Sequence, residues 1–372
     1  MLVLLKHDCT EAQTDAVEDA VRRMGYTPVR VPGPSRTAVC VTGNTGPVSP
    51  DGLRHLPGVL RCVSVTRPYK LVAREVRPDD TVIPVGDALI GGSKPVVIAG
   101  PCSVETEAKT LAVARAVKRA GADLFRAGAF KPRTNPYAFQ GLGREALLTL
   151  QRVRQEVGLP VVSEVLDTVD VDLAAEHLDV LQIGARNMQN TSLLRRVGAT
   201  GKPVLLKRGL SASLEEWLMA AEYVLAEGNG HVILCERGIR THSQHSRNTL
   251  DLNVVPLARE LSHLPVLVDP SHGVGARPRV RPLARAALAA GAQGLLVETH
   301  THPDQSYTDA DQTIDVGTLE GILRDRDVLG DLEPVGSAAS ATGPAGGGAV
   351  DGEADVDELV SRAAAIAHSS RG

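Results

Sequence analysis

The sequence predicts an α/β protein, a (β/α)8 TIM barrel preceded by a small ferredoxin-like α+β domain. Three observations lead there. From residue 95 onward, short continuous apolar runs alternate with helical patterns at about 25-residue spacing, the rhythm and size of a closed parallel barrel. Aromatic residues make up only 2% of the chain, so its core is built from Ala, Val and Leu, which suits helices packed on parallel strands. Before residue 70 the order is instead β-α-β-β-α-β, the ferredoxin-like arrangement.

In the first domain, residues 1–70, strands are expected at 2–5, 27–31, 38–42 and 59–65. A helix over 10–24 places Ala16, Val17, Ala20, Val21 and Met24 on one face, and a short helix is expected over 49–56. No cluster of catalytic side chains falls here, so this domain is read as regulatory. Residues 71–94 form a connector and a hairpin around Gly86-Asp87. The barrel, residues 95–328, is expected to run through strands 96–99, 124–127, 161–165, 180–183, 203–207, 232–235, 266–269 and 294–298. Its helices are expected near 105–120, 146–157, 169–176, 192–197, 213–225, 248–260, 282–290 and 316–324, with Ser213-Leu-Glu-Glu216 as a capping box. Residues 329–372 are a Gly/Ala-rich tail unable to bury enough apolar surface to order itself, apart from a short helix over 355–368.

Composition excludes several classes. A net charge of -4 gives no reason to expect a polyanion partner, and so few aromatics argue against a base-stacking nucleic-acid binder. No apolar run approaches the roughly 18 residues of a membrane span, and the opening Met-Leu-Val-Leu-Leu-Lys is too short for a signal peptide. The five cysteines are odd in number, widely spaced and without a CxxC pair, which reads as free thiols in a reducing, cytoplasmic compartment.

Chemistry in a barrel gathers at the C-terminal ends of its strands. Arg126, Lys131, Arg186, Lys207 and Arg237 all fall at or just after such ends, with Arg133 in the same Pro-punctuated loop as Lys131. Such a ring of cations requires a multiply charged anion, such as a small molecule carrying both phosphate and carboxylate. A second group, Cys102, His272, Glu298 and Asp309, belongs to strands one, seven and eight and the loop that follows, which are neighbours in a closed barrel. One thiolate, one imidazole and two carboxylates suit a divalent metal ion, with Mn, Fe, Co and Zn all open. Cys102, in Gly-Pro-Cys ahead of a helix N-terminus, is expected to be a thiolate. His242, His245, His300 and His302 are read as loop or supporting residues.

Ala99-Gly-Pro-Cys-Ser103, Lys131-Pro-Arg-Thr134, Gly184-Ala-Arg-Asn187, Cys235-Glu-Arg-Gly-Ile-Arg-Thr241, Arg247-Asn-Thr-Leu-Asp251 and Asp269-Pro-Ser-His-Gly273 together resemble the 3-deoxy-D-arabino-heptulosonate-7-phosphate (DAHP) synthase family, in its type Iβ branch. The resemblance implies a transferase, 3-deoxy-7-phosphoheptulonate synthase, that condenses phosphoenolpyruvate with D-erythrose 4-phosphate at the head of the shikimate pathway. It implies that Arg126, Lys131, Arg186, Lys207 and Arg237 hold phosphoenolpyruvate, with Lys131 as proton donor, and that Arg133 and Thr134 hold erythrose 4-phosphate. It places the metal on Cys102, His272, Glu298 and Asp309, and Lys131, Cys102 and His272 in the catalytic set. It also implies an aromatic amino acid inhibitor acting on the first domain, and a homotetramer. The sister enzyme that makes 3-deoxy-D-manno-octulosonate 8-phosphate from arabinose 5-phosphate is the alternative; its loop resembles Lys-Ala-Asn-Arg-Ser where this chain has Lys131-Pro-Arg-Thr134. One departure is Glu298-Thr-His-Thr-His-Pro303, where the family pattern is Glu-Val-His-Pro.

Overall fold

The computed structural model describes residues 1–330 apart from 33–36, 45–47, 64–67, 76, 78, 134 and 136. The expected tail helix and Thr134 therefore lie outside the described residues. The chain divides into one unit over Met1–Asp79 and another that begins at Asp80.

The first unit contains β1 (Leu2–Leu5), α1 (Glu11–Arg23), β2 (Thr27–Pro32), β3 (Thr37–Thr42) and β4 (Val59–Val63). They make an antiparallel sheet of order β2-β3-β1-β4. The helix starts where Thr10 and Gln13 form a reciprocal capping box, and its Val17, Ala20 and Val21 pack on Val3 and Leu5 of the central strand. The helix expected over 49–56 is a run of turns. Pro50 and Gly52 leave room for one turn, closed by Leu53 and Arg54 N–H bonds to Pro50 O, and buried Leu53 still reaches the core.

The second unit opens with the expected hairpin, β5 (Ile83–Val85) and β6 (Ala88–Ile90). Ile83, Val85 and Ile90 join Val96, Ile98, Leu124, Val180 and Leu205 in one apolar cluster, so the hairpin fills the end of the barrel opposite the strands' C-termini. The barrel strands are β7 (Val96–Gly100), β8 (Leu124–Arg126), β9 (Val161–Glu164), β10 (Val180–Ile183), β11 (Val204–Lys207), β12 (Val232–Glu236), β13 (Val266–Val268) and β14 (Gly294–Glu298). All pair in parallel, and β14 closes on β7 from Gly294↔Val96 to Glu298↔Gly100.

Around them run α2 (Glu107–Ala120), α3 (Arg144–Arg152), α4 (Val171–His177), α5 (Thr191–Gly198), α6 (Leu214–Ala226), α7 (Val254–Leu261), α8 (Pro270–Val274), α9 (Arg277–Ala289) and α10 (Val316–Gly330). The Ser213–Glu216 capping box forms at the start of α6. On that helix Trp217 is fully buried and its indole N–H donates to Leu206 O of β11 at 3.2 Å. Several helices depart from expectation. α7 begins later than residue 248 because Thr249 is held in a bridge to Ile239, and Asn248 N–H in a bond to Gly273 O. α9 begins before Pro282 and contains it, and α8 precedes it, capped by the Asp269 side chain. α10 runs on to Gly330. No helix among the described residues is long and apolar enough to cross a membrane.

Candidate active site

The strand ends surround a cavity of about 420 Å³. Its wall carries Cys102, Arg126, Lys131, Arg133, Arg186, Lys207, Arg237, His272 and Asp309, nine of the residues singled out in the sequence. Glu298 lies at its edge, tied to Arg126. Two glycines make the arrangement sterically allowed. A side chain at Gly100 would strike Arg126 O, and one at Gly184 would overlap the carboxylate of Glu164.

On one side, the ligating atoms of Cys102, His272, Glu298 and Asp309 all lie within 4.8 Å of one another. His272 Nδ1 is 2.7 Å from Asp269 Oδ2. Burial alone would raise the Asp269 carboxyl, but His272 and Lys207 hold it well below the usual carboxylate range. Burial lowers the His272 pKa against the pull of Asp269 and Glu298, so the imidazole is neutral near pH 7. An ionised Asp269 accepts the Nδ1 proton, which leaves the Nε2 lone pair facing the cluster, 3.4 Å from Glu298 Oε1. Asp309 has φ 55°, the only positive φ on a non-glycine among the described residues, and Asp is one of the few side chains that tolerates it. A lone pair pointed inward, a thiol and two carboxylates fit a divalent transition metal.

Cys102 corrects one expectation. The next helix along the chain starts only at Glu107, and in the absence of a metal ion burial, reinforced by Glu298, pushes the thiol up to about 12 despite Lys131 and Arg126. By itself the thiol is protonated and donates to Asp309 Oδ2 at 3.0 Å. The Lys131 ammonium contacts Cys102 Sγ and lies 2.9 Å from Asp309 Oδ2. Burial would lower the pKa of Lys131, but the carboxylates of Glu298 and Asp309 raise it, so it carries its proton.

The cation ring is also not the bare repulsive array the sequence suggests. Arg126 pairs with Glu298 at 2.9 Å, Lys131 with Asp309, and Lys207 with Asp269 at 2.5 Å. Arg237 differs. It is 8% exposed, makes one long bond to Gly238 O at 3.5 Å, and has no ion pair among the described residues. Burial lowers its pKa. Its backbone is fixed by the neighbouring Glu236, whose carboxylate accepts Gly238 N–H at 2.6 Å and Arg208 at 3.1 Å. Arg186 lies on the same wall but is exposed, and Arg126 Nε is buried with no hydrogen-bond partner among the described residues.

Sequence reasoning missed Glu164, at the end of β9 among these cations. Burial raises its carboxyl pKa, opposed by Lys207, Lys131, Arg126 and Arg186. It also missed Gln312, whose amide donates to Glu298 Oε2. Of the other histidines, His300 is buried, with Nδ1 2.9 Å from His302 N, whereas His242 and His245 are exposed. His300 therefore braces the altered segment after β14 from inside, and the Glu298-Thr-His-Thr-His-Pro303 departure leaves Glu298 and Asp309 together.

Fold and pocket together define a parallel barrel with a cationic pocket beside a cluster of metal-type ligands. Residues 73–328 match the family model described as DAHP synthetase I family, and residues 1–67 match the DAHP synthase ferredoxin-like domain. The chain belongs to the DAHP synthetase I family, and is accordingly a transferase of aromatic amino acid biosynthesis. A phospho-2-dehydro-3-deoxyheptonate aldolase of Thermotoga maritima is 43% identical over 89% of this chain and 98% of that relative. The crystal structure of a Thermotoga maritima protein of that name, also called DAHP synthase, matches with a TM-score of 0.71 at 43% identity, covering 89% of this chain and 97% of the other. A 2-dehydro-3-deoxyphosphooctonate aldolase of Syntrophotalea carbinolica is 36% identical over 65% of this chain and 93% of its own.

Proposed function

We propose that this chain condenses phosphoenolpyruvate with D-erythrose 4-phosphate to give DAHP and inorganic phosphate, in a reaction that depends on a divalent metal ion. The observation that carries this reading is Arg237, a buried guanidinium without a carboxylate partner among the described residues, on one wall with Arg186, Lys207 and Arg126. A cation so desolvated calls for an anion from outside.

In this reading Arg126, Lys131, Arg186, Lys207 and Arg237 hold the phosphate and carboxylate of phosphoenolpyruvate. Arg133 and Thr134 hold the phosphate of the aldose, and Cys102, His272, Glu298 and Asp309 hold the metal. A divalent cation there supplies Lewis-acid polarisation of the aldehyde oxygen. The bound phosphoenolpyruvate directs its C3 at the aldehyde carbon, and a new C–C bond forms as the carbonyl π pair moves to oxygen. Lys131 Nζ gives its proton to that oxygen. Water adds at C2 of the former enol, one of its protons restoring Lys131, and the C2–O bond to phosphate then breaks as the new C2 hydroxyl passes its proton to the departing phosphate, releasing inorganic phosphate and the ketone. His272, oriented by Asp269, keeps its lone pair on the cluster rather than taking a proton.

The test is phosphoenolpyruvate consumption with erythrose 4-phosphate or arabinose 5-phosphate as co-substrate, with Mn²⁺ and again after chelation. Consumption only with the four-carbon sugar, abolished by chelation and restored by metal, is expected. Preference for arabinose 5-phosphate would assign the chain to the chemistry named in its 36%-identical relatives, which align with about two thirds of it. Activity that outlasts complete removal of metal would dismiss the metal reading.

Three further parts of the reading concern the chain as a whole. The first is a regulatory domain over about residues 1–70, sensing an aromatic amino acid; deleting it should preserve turnover and abolish inhibition, and inhibition that persists removes the idea. The second is a catalytic domain over 95–328. The third is a homotetramer, to be checked by analytical ultracentrifugation.

A further inference from the structure

We propose that Gln312 is the positioning residue that holds both carboxylate ligands, and that Arg247 locks it in place. This rests on the metal reading given above. Gln312 is 2% exposed and is reached from three sides. Its Nε2 donates to Glu298 Oε2 at 2.5 Å, its Oε1 accepts Arg247 Nη1 at 2.8 Å, and its backbone N–H donates to Asp309 O at 3.2 Å. One residue thus touches Glu298 through its side chain and Asp309 through its backbone.

A glutamine suits this place because its amide has an acceptor end and a donor end. The acceptor faces a guanidinium and the donor faces a carboxylate. Turning the amide over would set its NH2 against Arg247 and its oxygen against Glu298, both repulsive, so the orientation is fixed by charge. Glu298 is then gripped at both oxygens, Oε1 by Arg126 at 2.9 Å and Oε2 by Gln312. Arg247 also donates to Asp309 Oδ1 at 3.0 Å, while Lys131 donates to Oδ2. Arg247 belongs to the segment after β12 that carries Arg237 and Arg240, and it lines the same cavity. The bracket therefore runs from the anion wall, through a neutral amide, to the carboxylates.

Residues that orient metal ligands typically contribute 10–100-fold in metal affinity. The experiment is Mn²⁺ binding to the full-length protein, by competition with a chelating dye, for wild type, Gln312→Ala, Arg247→Met and the double variant. A Kd raised roughly 10–100-fold in Gln312→Ala is expected, with the metal-free melting temperature little changed, which separates orientation from a merely structural role. Arg247→Met should raise the Kd less, and the double variant should fall short of the product of the two single effects, because part of what Arg247 does, beside its own bond to Asp309, runs through the Gln312 amide. A Gln312→Ala Kd within twofold of wild type, or effects that multiply independently, overturns the proposal. Should Gln312→Ala fail to fold, Arg247→Met carries the test, since that side chain is 46% exposed. Unchanged Mn²⁺ affinity there is then the overturning result. If wild type itself binds no Mn²⁺, it is the metal reading that falls, an outcome distinct from failure of the bracket alone.

Discussion

Lys207 and Arg237 stand at the ends of adjoining strands, both nearly sealed from water, one at 4% and the other at 8% exposure. Lys207 is matched within the protein by Asp269, 2.5 Å away, and Asp269 in turn steadies His272. Among the described residues Arg237 meets a distant carbonyl and no carboxylate. The difference separates two kinds of buried charge. A cation matched inside the chain is held by the architecture whether or not it also meets a ligand, and removing it takes the cationic partner from its carboxylate. In the proposed reading a cation left unmatched depends on the ligand, and removing it relieves the empty protein while depriving the complex.

The largest effect expected from this contrast is at Lys207. Lys207→Met leaves Asp269 buried beside a neutral His272 without its cationic partner, and should destabilise the metal-free protein by about 3–5 kcal/mol, read by urea unfolding. A loss under about 1 kcal/mol would mean that Asp269 is satisfied without Lys207, erasing the distinction. Next is Arg237→Met. It should leave unfolding stability unchanged or slightly higher, and weaken phosphoenolpyruvate binding by about 1.5–3 kcal/mol, roughly 10–100-fold in Kd by calorimetry. Lost stability with unaltered binding would reverse the roles of the two cations.

The smallest effect concerns Glu164, an acid on the same wall. Burial raises its folded pKa above the usual 4.5 even against four neighbouring cations. The folded state thus holds this proton more tightly than the unfolded chain does, and this group's contribution to stability falls as pH rises from 4.5 through the raised value. Glu164→Gln removes that slope. Metal-free melting curves of variant and wild type should converge below about 4.5 and separate toward neutrality, with the variant melting higher. A variant that melts lower at neutral pH would show that Glu164 acts as a paired counter-charge, like Asp269.

Much of this was legible in the sequence because a parallel barrel repeats one rule. Each apolar run ends where a charged or ligating residue begins, so Cys102, Arg126, Lys207 and Glu298 announce themselves by position. What was not legible depends on partners far along the chain. Glu164 reads as a solvated acid until Gly184, just past the end of the next strand, is seen to leave space for it. Gln312 is a neutral loop residue whose meaning lies in Glu298 and Arg247. The protonation of Cys102 is set by burial and the charge of Glu298, neither visible in Gly-Pro-Cys. Local signals misled where backbone bonds to another segment prevailed, as at Thr249, whose bridge to Ile239 delays α7.

Trp217 is the only tryptophan in the chain. Its indole is bonded to Leu206 O, one residue before Lys207, so the chain's tryptophan fluorescence comes from a single, fully buried place behind the anion wall. The protein thereby contains its own optical gauge. Quenching or a spectral shift on adding phosphoenolpyruvate would report a change transmitted along β11, and red-shifted emission in denaturant would report opening of the barrel, in both cases without any added label.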